Sequence, residues 1–188
     1  MTPNECQQII HFHKTHHNLR TVGNGAGYKG IRFCHVQTQW VRTLIDRVWI
    51  RLVAQVYKTQ GKIVYPEMIG INEWVIGGYQ DPHLDTYSTQ SEHLPNFDPN
   101  EKQREWTCIL YLNDNFSGGE TYVPNGETFV PETGAGLLFQ GIYIEHGVNK
   151  IRRNQRHTLS FWFSDNQDRC MPFHAITDLA QNEETLRL

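Results

Sequence analysis

The sequence has few of the features that mark membrane-spanning, secreted or zinc-knuckle proteins. Its four cysteines are widely separated among 188 residues and form no Cys-x-x-Cys pair. This spacing excludes a zinc knuckle and a dense disulfide framework, and reduced thiols fit a cytosolic compartment. No apolar run approaches the roughly 20 residues of a membrane span. The first residues also lack the basic-then-apolar order of a signal peptide. We therefore expect a cytoplasmic protein with no membrane partner.

The charge is nearly balanced, with a formal net charge of −3. A protein without an excess of positive charge has no general electrostatic attraction for nucleic acid, so we expect no nucleic-acid partner. The length fits one domain, residues 1–188. We predict helical support over about 1–60, a β-rich core over about 61–165 and a polar tail over 166–188.

Two helices are predicted in the first third of the chain. Asn4 is the expected N-cap of a helix that ends near His17 and buries Ile9 and Ile10. Apolar residues then recur at spacings of three and four over 38–58, which predicts one long amphipathic helix that backs a sheet. His13 and His17 lie four residues apart and could chelate a metal. No Cys, Asp or Glu supports that pair, so we interpret it as a polar, solvated helix end.

Beyond Gly61 the apolar residues alternate with a period of two, which is typical of strands. The predicted strands are 69–79, 106–112, 120–123, 128–130, 136–140, 143–146 and 156–164. Helices followed by many short strands predict a mainly β (α+β) fold. Its expected core is a double-stranded β-helix, or jelly-roll, with the N-terminal helices packed on it.

Two segments do not fit this regular pattern. The glycine-rich run 23–30 has no Lys-Ser/Thr after it and no apolar strand before it, so we predict a mobile loop, not a phosphate-binding loop. Residues 86–105 are polar and contain Pro95 and Pro99, which disfavour pairing into a sheet. Because this segment follows Asp85 directly, we predict that it is a lid that closes when a substrate binds.

The candidate metal site begins with His83 and Asp85. Two side chains that are two residues apart lie on the same face of a strand. A further histidine from a distant strand, His146, completes a set of two imidazoles and one carboxylate. Such a set leaves open positions on the metal and suits non-haem Fe(II), which must bind a co-substrate and O₂ together.

Arg156 opens the last predicted strand, ten residues after His146. On that strand Arg156, Ser160 and Trp162 share one face, and His157 lies on the other. An arginine that faces into a barrel needs an anion, because a buried unpaired charge is costly. A planar guanidinium can hold a carboxylate through two hydrogen bonds.

Taken together, these segments resemble the Fe(II)/2-oxoglutarate-dependent dioxygenase superfamily, specifically its prolyl-4-hydroxylase-like branch. The matching residues are His83-Leu84-Asp85, 107–114, 118–121, Pro131, Gly134, Phe139, His146 and 156–162. They occur in the family's order over about 69–165.

The resemblance implies roles for individual residues. His83, Asp85 and His146 would bind Fe(II), and Arg156 would pair with the distal carboxylate of 2-oxoglutarate. Tyr111 and Ser160 match residues that bind the same co-substrate. Tyr79 departs from the family's pattern, because it lies four residues before His83 where the family often has a tyrosine three before. Trp74 is a candidate for an aromatic residue that lines the co-substrate site. O₂ would be the second co-substrate, and ascorbate is a candidate reductant. His93, His157 and His174 are not expected to be iron ligands.

The implied reaction is hydroxylation of an amino-acid side chain, with release of succinate and CO₂. Peptidyl proline is the first choice of substrate, and lysyl residues or free amino acids are alternatives. The expected partner is therefore a polypeptide or an amino acid. A non-enzymatic, cupin-like binding jelly-roll is a second class of function, but it would not need Arg156 at this spacing together with Asp85.

Overall fold

Two α-helices and ten β-strands make up the described part of the protein, which is residues 1–22, 27–85 and 104–169 of a computed structural model. The first helix, α1, spans Pro3–Thr15. Its N-cap is Thr2, whose hydroxyl accepts a hydrogen bond from the Glu5 N–H while the Glu5 carboxylate accepts one from the Thr2 N–H. The prediction that Asn4 caps this helix was wrong, because Pro3 at the first helical position and Glu5 at the third complete a capping box with Thr2.

The second helix, α2, spans Gln39–Gln60 and confirms the long amphipathic helix. It follows Thr38 and ends at Gly61, which adopts the left-handed conformation (φ 67°) that a helix C-terminus favours. Its buried residues are Val41, Leu44, Ile45, Trp49, Val53 and Val56. They share one apolar core with Ile9, Ile10 and Phe12 of α1 and with the inner face of a large sheet.

The ten strands form two antiparallel sheets. They are β1 (Thr21–Val22), β2 (Tyr28–Arg32), β3 (Tyr65–Trp74), β4 (Gln80–His83), β5 (Arg104–Tyr111), β6 (Thr121–Tyr122), β7 (Thr128–Phe129), β8 (Gly136–Phe139), β9 (His146–Val148) and β10 (Arg156–Ser164). The six-stranded sheet has the order β1-β2-β3-β10-β5-β8, and the four-stranded sheet has the order β4-β9-β6-β7. The mainly β fold with two supporting helices is therefore confirmed.

The six-stranded sheet separates two environments. On one face, Ile69, Ile71, Leu159 and Phe161 pack into the core that the helices share. On the other face, Asn72, Trp74, Arg156 and Ser160 line a cavity that residues of the four-stranded sheet also line. Period-two alternation along β3 and β10 thus divides the apolar core from the cavity.

The main differences from the predicted strands lie at two strand ends and in one predicted loop. The strand predicted over 69–79 ends at Trp74, because Gly77 (φ 89°) makes a turn in which Gly78 N–H donates to Val75 O. The strand predicted over 143–146 begins only at His146, since Tyr143 and Ile144 both donate to Gln140 O in a turn. Part of the predicted loop 23–30 is β2, which pairs with β3.

The interpretation of His13 as part of a solvated helix end was also wrong. His13 is fully buried, and its Nε2 lies 3.1 Å from Lys29 O. His17 is exposed in a short 3₁₀ turn, His17–Leu19. The helix ends at Thr15, so the two histidines do not form a pair on one helix face.

Some predictions concern residues outside the described ranges. These are most of the proposed lid (86–103), His93, His174 and the end of the polar tail (170–188). Arg104 and Glu105, assigned to the lid, belong to β5. Within the described ranges, no helix combines the length and the apolar character needed to cross a membrane.

Candidate metal centre and anion-binding cavity

His83 and His146 are brought together by strand pairing. His83 is the last residue of β4 and His146 is the first residue of β9, and the two residues lie directly opposite each other in the antiparallel pair. Their ring centroids are 4.5 Å apart. Residues 83 and 146 are distant in sequence, so this pairing creates the site.

The ring nitrogens of both histidines are oriented in the same way. His83 Nδ1 lies 3.0 Å from Asp81 O, and His146 Nδ1 lies 3.1 Å from Ile144 O. A main-chain acceptor at this distance places the proton on Nδ1 and leaves the lone pair on Nε2. Each Nε2 faces the Asp85 carboxylate, at 3.7 Å from Oδ1 for His83 and 3.5 Å from Oδ2 for His146. One ligand atom from each of the three residues lies within 4.8 Å of the others.

Asp85 lies just beyond the end of β4 and is held by residues far away in the sequence. Its N–H donates to Gly141 O (3.0 Å), and its Oδ2 accepts a hydrogen bond from Thr107 Oγ1 (2.5 Å). Gly141 is needed for this arrangement, because a Cβ atom there would collide with Thr107 Oγ1 and lie 2.6 Å from Asp85 Oδ2. Two contacts therefore fix the carboxylate between the imidazoles.

The protonation of His146 favours metal binding. Burial lowers its pKa, against the opposing effect of the Asp85 carboxylate. The neutral imidazole is the form that binds a metal. The donor set, two imidazoles and one carboxylate, thus fits a divalent iron with open positions.

The three side chains open into a cavity of about 660 Å³ that lies between the two sheets. Arg156, at the start of β10, lines the same cavity and is only 1% exposed. Its guanidinium carbon lies 5.4 Å from the ring centre of Trp74 and 5.3 Å from that of Tyr111. The cavity thus carries a metal-type donor set and a buried cation.

Within the described ranges, no carboxylate lies within ion-pairing distance of Arg156. Its Nη2 donates to Thr121 Oγ1 (3.3 Å), and its Nε has no partner among these residues. Burial lowers the pKa of the guanidinium, because the charged form loses its hydration. A buried cation of this kind is suited to an anionic ligand.

Of the other predicted co-substrate residues, Tyr111 contacts Arg156, and Ser160 lies further along β10 on the same face. Tyr111 Oη donates to the same Thr121 hydroxyl (2.7 Å), and Ser160 Oγ accepts from Asn72 Nδ2 (3.0 Å). Ser160, Asn72 and Trp74 line the cavity. Tyr79, by contrast, is about half exposed.

Four residues that shape the site were not assigned a role from the sequence: Asn72, Thr107, Thr121 and Gly141. Thr107 and Thr121 lie inside the segments that carried the family resemblance. The signal available in the sequence was a hydroxyl side chain on each of two predicted strands. Gly141 gave no such signal, because its contacts with Asp85 and Thr107 depend on the packing of distant segments.

Comparisons with known proteins give a family match that spans the residues of this site. Residues 69–164, slightly more than half of the chain, match the model of a family described as the 2OG-Fe(II) oxygenase superfamily. A protein of Acanthamoeba polyphaga mimivirus, provisionally named a prolyl 4-hydroxylase, is 24% identical over 177 residues. That alignment covers 88% of this chain and 71% of the viral protein.

Solved structures show the same fold. The 2OG complex of a viral collagen prolyl hydroxylase from Paramecium Bursaria Chlorella virus-1 has a TM-score of 0.66 and 17% identity, covering 87% of this chain and 90% of the viral chain. A prolyl hydroxylase from Trichoplax adhaerens, in complex with a peptide fragment of the hypoxia-inducible factor oxygen degradation domain, has a TM-score of 0.58 and 15% identity. It covers 87% of this chain and 77% of its own.

Proposed function

Because the chain belongs to the 2OG-Fe(II) oxygenase superfamily, we propose that it hydroxylates an amino-acid side chain, with peptidyl proline as the substrate. The observation that carries the proposal is that a His–Asp–His donor set and a buried arginine open into one cavity. A dicarboxylic co-substrate has one end for each of these groups. We also infer that the two facing sheets are the double-stranded β-helix of this superfamily.

His83, Asp85 and His146 are the residues that would hold Fe(II). Their support is the convergence of two Nε2 atoms on one carboxylate, with each Nδ1 near a main-chain carbonyl. A set of three protein ligands leaves positions for 2-oxoglutarate and O₂. Thr107 donates to Asp85 Oδ2 and so orients the carboxylate that both imidazoles face.

Arg156 would hold the distal carboxylate of 2-oxoglutarate. Two observations support this role. Arg156 is almost completely buried beside Trp74 and Tyr111, and it has no carboxylate partner in the described part of the chain. The hydroxyl groups of Tyr111 and Ser160 would add polar contacts on the same side of the cavity. A bidentate arginine–carboxylate pair would fix the direction in which the co-substrate lies.

When bound, iron supplies the chemistry, namely the coupling of oxidative decarboxylation of 2-oxoglutarate to insertion of one oxygen atom into a C–H bond. The side chains contribute binding and orientation. Arg156 and Tyr111 define one end of the co-substrate, and the three ligands define the other. The wall between the two ends includes the apolar side chains of Trp74 and Val148.

A prolyl substrate is supported by the names of similar proteins, of which the viral relative in the chlorella virus structure is called a collagen prolyl hydroxylase. The Trichoplax enzyme is in complex with a peptide. A cavity that opens to solvent beside His83 is compatible with a side chain presented on a polypeptide. The expected substrate is therefore a proline within a flexible peptide.

The test incubates the enzyme with Fe(II), 2-oxoglutarate, O₂ and ascorbate, together with peptides that contain proline or lysine. We expect a proline peptide to gain the mass of one oxygen atom, with matching formation of succinate. A peptide in which that proline is replaced by alanine is the control for the modified residue. Modification of lysyl peptides or free amino acids alone would contradict the prolyl assignment, and absence of 2-oxoglutarate turnover with all substrates would contradict the enzymatic one.

A further inference from the structure

A second His–carboxylate–His cluster lies on the opposite face of the six-stranded sheet. It consists of His13 from α1, Glu73 from β3 and His157 from β10, and we call it the rear cluster. Glu73 and His157 lie directly opposite each other in the β3–β10 pair, and α1 places His13 over them. The three residues are 0%, 5% and 4% exposed, respectively.

The spacing of the rear cluster is close to that of a metal site, since its three ligand atoms lie within 4.8 Å of one another. His157 Nε2 lies 3.4 Å from Glu73 Oε2, and His13 Nδ1 lies 3.9 Å from the same oxygen. In a tetrahedral zinc site, with metal–ligand distances of about 2.0–2.2 Å, neighbouring donor atoms are about 3.4 Å apart. Small rotations of the His13 ring would bring the second distance to this value.

The two ring nitrogens of His13 each face a hydrogen-bond acceptor, but the neutral ring carries only one proton. Its Nε2 lies 3.1 Å from Lys29 O, and its Nδ1 faces the Glu73 carboxylate. Burial, with the nearby Arg20, lowers the pKa of His13 to about 4, so the imidazole is neutral near pH 7. With its proton donated to Lys29 O, His13 presents a bare Nδ1 lone pair towards Glu73.

The nitrogens that face the cluster have no hydrogen-bond partner among residues 1–22, 27–85 and 104–169. This holds for His13 Nδ1 and for His157 Nε2, although both side chains are more than nine-tenths buried. Buried polar atoms are normally paired, so these two nitrogens and one carboxylate, which lie within 4.8 Å of one another, indicate a ligand. With each imidazole proton on the nitrogen that faces away from Glu73, all three groups offer electron pairs, which suits a cation.

We propose that His13, Glu73 and His157 bind a divalent transition-metal ion, for which Zn²⁺ is the best match. Two imidazoles and one carboxylate are an established zinc donor set, with a water as the fourth ligand. The Lys29 carbonyl would orient the His13 ring, as main-chain acceptors do for metal-bound histidines. The positive groups nearby are Arg20, which donates to the His13 carbonyl oxygen, and Lys14. Both favour neutral, metal-binding imidazoles.

Such an ion would be structural, since the rear cluster is closed to substrate. It would tie α1 to β3 and β10, the two strands whose other face carries Trp74 and Arg156. Metal that binds only the folded arrangement stabilises it. The rear cluster does not depend on the proposed function, because none of its residues lines the cavity.

The decisive experiment leaves the rear cluster intact and removes the candidate iron site. The double variant Asp85→Ala/His146→Ala is purified, stripped with a chelator and titrated with Zn²⁺, and bound metal is counted by mass spectrometry. We expect about one zinc ion per chain and a higher melting temperature in the presence of Zn²⁺. Wild-type protein should bind about one more.

A third substitution, Glu73→Gln, made on the same background, should abolish zinc binding and the metal-dependent rise in melting temperature. His11→Ala, an exposed histidine on the same helix, is the matched control and should keep both. Absence of zinc binding to the double variant, or equal binding after Glu73→Gln, would overturn the proposal. If Glu73→Gln does not fold, the zinc content of the double variant still decides.

Discussion

The two His–carboxylate–His clusters have the same donor types but opposite surroundings. The front cluster consists of His83, Asp85 and His146. Its His83 side chain is 30% exposed, and its donors open into a cavity that Arg156 also lines. In the rear cluster, all three side chains are enclosed between α1 and the sheet. The same donor set therefore does not define a function by itself. Access decides whether a bound metal can meet a substrate or can only hold elements together.

One strand, β10, contributes a residue to the cavity and a residue to the rear cluster. Arg156 and His157 are neighbours on β10, and their side chains lie on opposite faces of the sheet. Arg156 pairs in register with Trp74, and His157 pairs with Glu73. Arg156 and the rear cluster thus lie on the same two rungs of the β3–β10 ladder. Single substitutions can therefore test each of them separately.

The largest expected effect distinguishes the two clusters, because only the cluster of His83, Asp85 and His146 should be required for Fe(II)-dependent turnover. His146→Ala, His83→Ala and Asp85→Ala should each abolish Fe(II)-dependent turnover of 2-oxoglutarate, because loss of one ligand of three breaks the facial geometry. Succinate formation and Fe(II) affinity are the measurements. His157→Ala should keep its Fe(II) affinity, since its imidazole lies on the other face. A similar loss of iron in His157→Ala and His146→Ala would contradict this division.

A second variant should displace the carboxylate of Asp85, a predicted iron ligand, without removing it. In Gly141→Ala the added Cβ would collide with Thr107 Oγ1 and approach Asp85 Oδ2 to 2.6 Å, so the carboxylate must shift. We expect turnover to fall about tenfold or more, which corresponds to about 1.4 kcal/mol or more of transition-state stabilisation. Gly126→Ala is the control for activity, because a Cβ there has no neighbour within 4 Å among the described residues. Its positive φ (97°) makes alanine strained, so the melting temperatures of both variants are compared to separate lost stability from lost turnover. Equal activity of Gly141→Ala and wild type would mean that Gly141 does not position Asp85.

Arg156→Ala should separate co-substrate binding from metal binding. The variant loses a charge-assisted hydrogen-bonded pair, worth about 1.5–3 kcal/mol, so 2-oxoglutarate should bind about 10- to 100-fold more weakly. Its Fe(II) affinity should be nearly unchanged. Titration of each ligand separately makes the measurement, and parallel losses for both would identify Arg156 as a structural residue.

Tyr111→Phe should give the smallest effect. It removes a hydroxyl that donates to Thr121 Oγ1 beside Arg156, and it keeps the ring that packs on the guanidinium. A neutral hydrogen bond is worth about 0.5–1.5 kcal/mol, so the KM for 2-oxoglutarate should rise about two- to tenfold. A change larger than that of Arg156→Ala would show that Tyr111, not Arg156, anchors the co-substrate.

Local periodicity predicted a large part of this structure. The faces of β10 follow from alternation alone, and the bounds of α2 follow from the spacing of its apolar residues. His83, Asp85 and His146 were found because a short motif and one distant histidine fit a known ligand set. Their proximity is confirmed, and their role as iron ligands stays a prediction.

The features that escaped prediction depend on packing between distant segments. His13 has the local sequence of an exposed helix end, and only the docking of α1 on the sheet brings it to Glu73 and His157. Gly141 has no pattern of its own until it meets Asp85. The early end of β3 depends on the turn at Gly77, whose N–H donates to the distant Ile151 O (2.8 Å), a contact that no local pattern shows.

Because β10 lies inside the six-stranded sheet, its sequence tolerates substitutions better than insertions or deletions. The strand is paired on both edges, with β3 and with β5, so its register is fixed twice. Loss of one codon near its start would exchange its two faces, sending the guanidinium into the apolar core and the imidazole into the cavity. Length changes are accommodated where the ladder already shifts, at Trp162/Phe163 and Phe163/Ser164. Over its first six residues, this strand can diverge only by replacement of one amino acid with another.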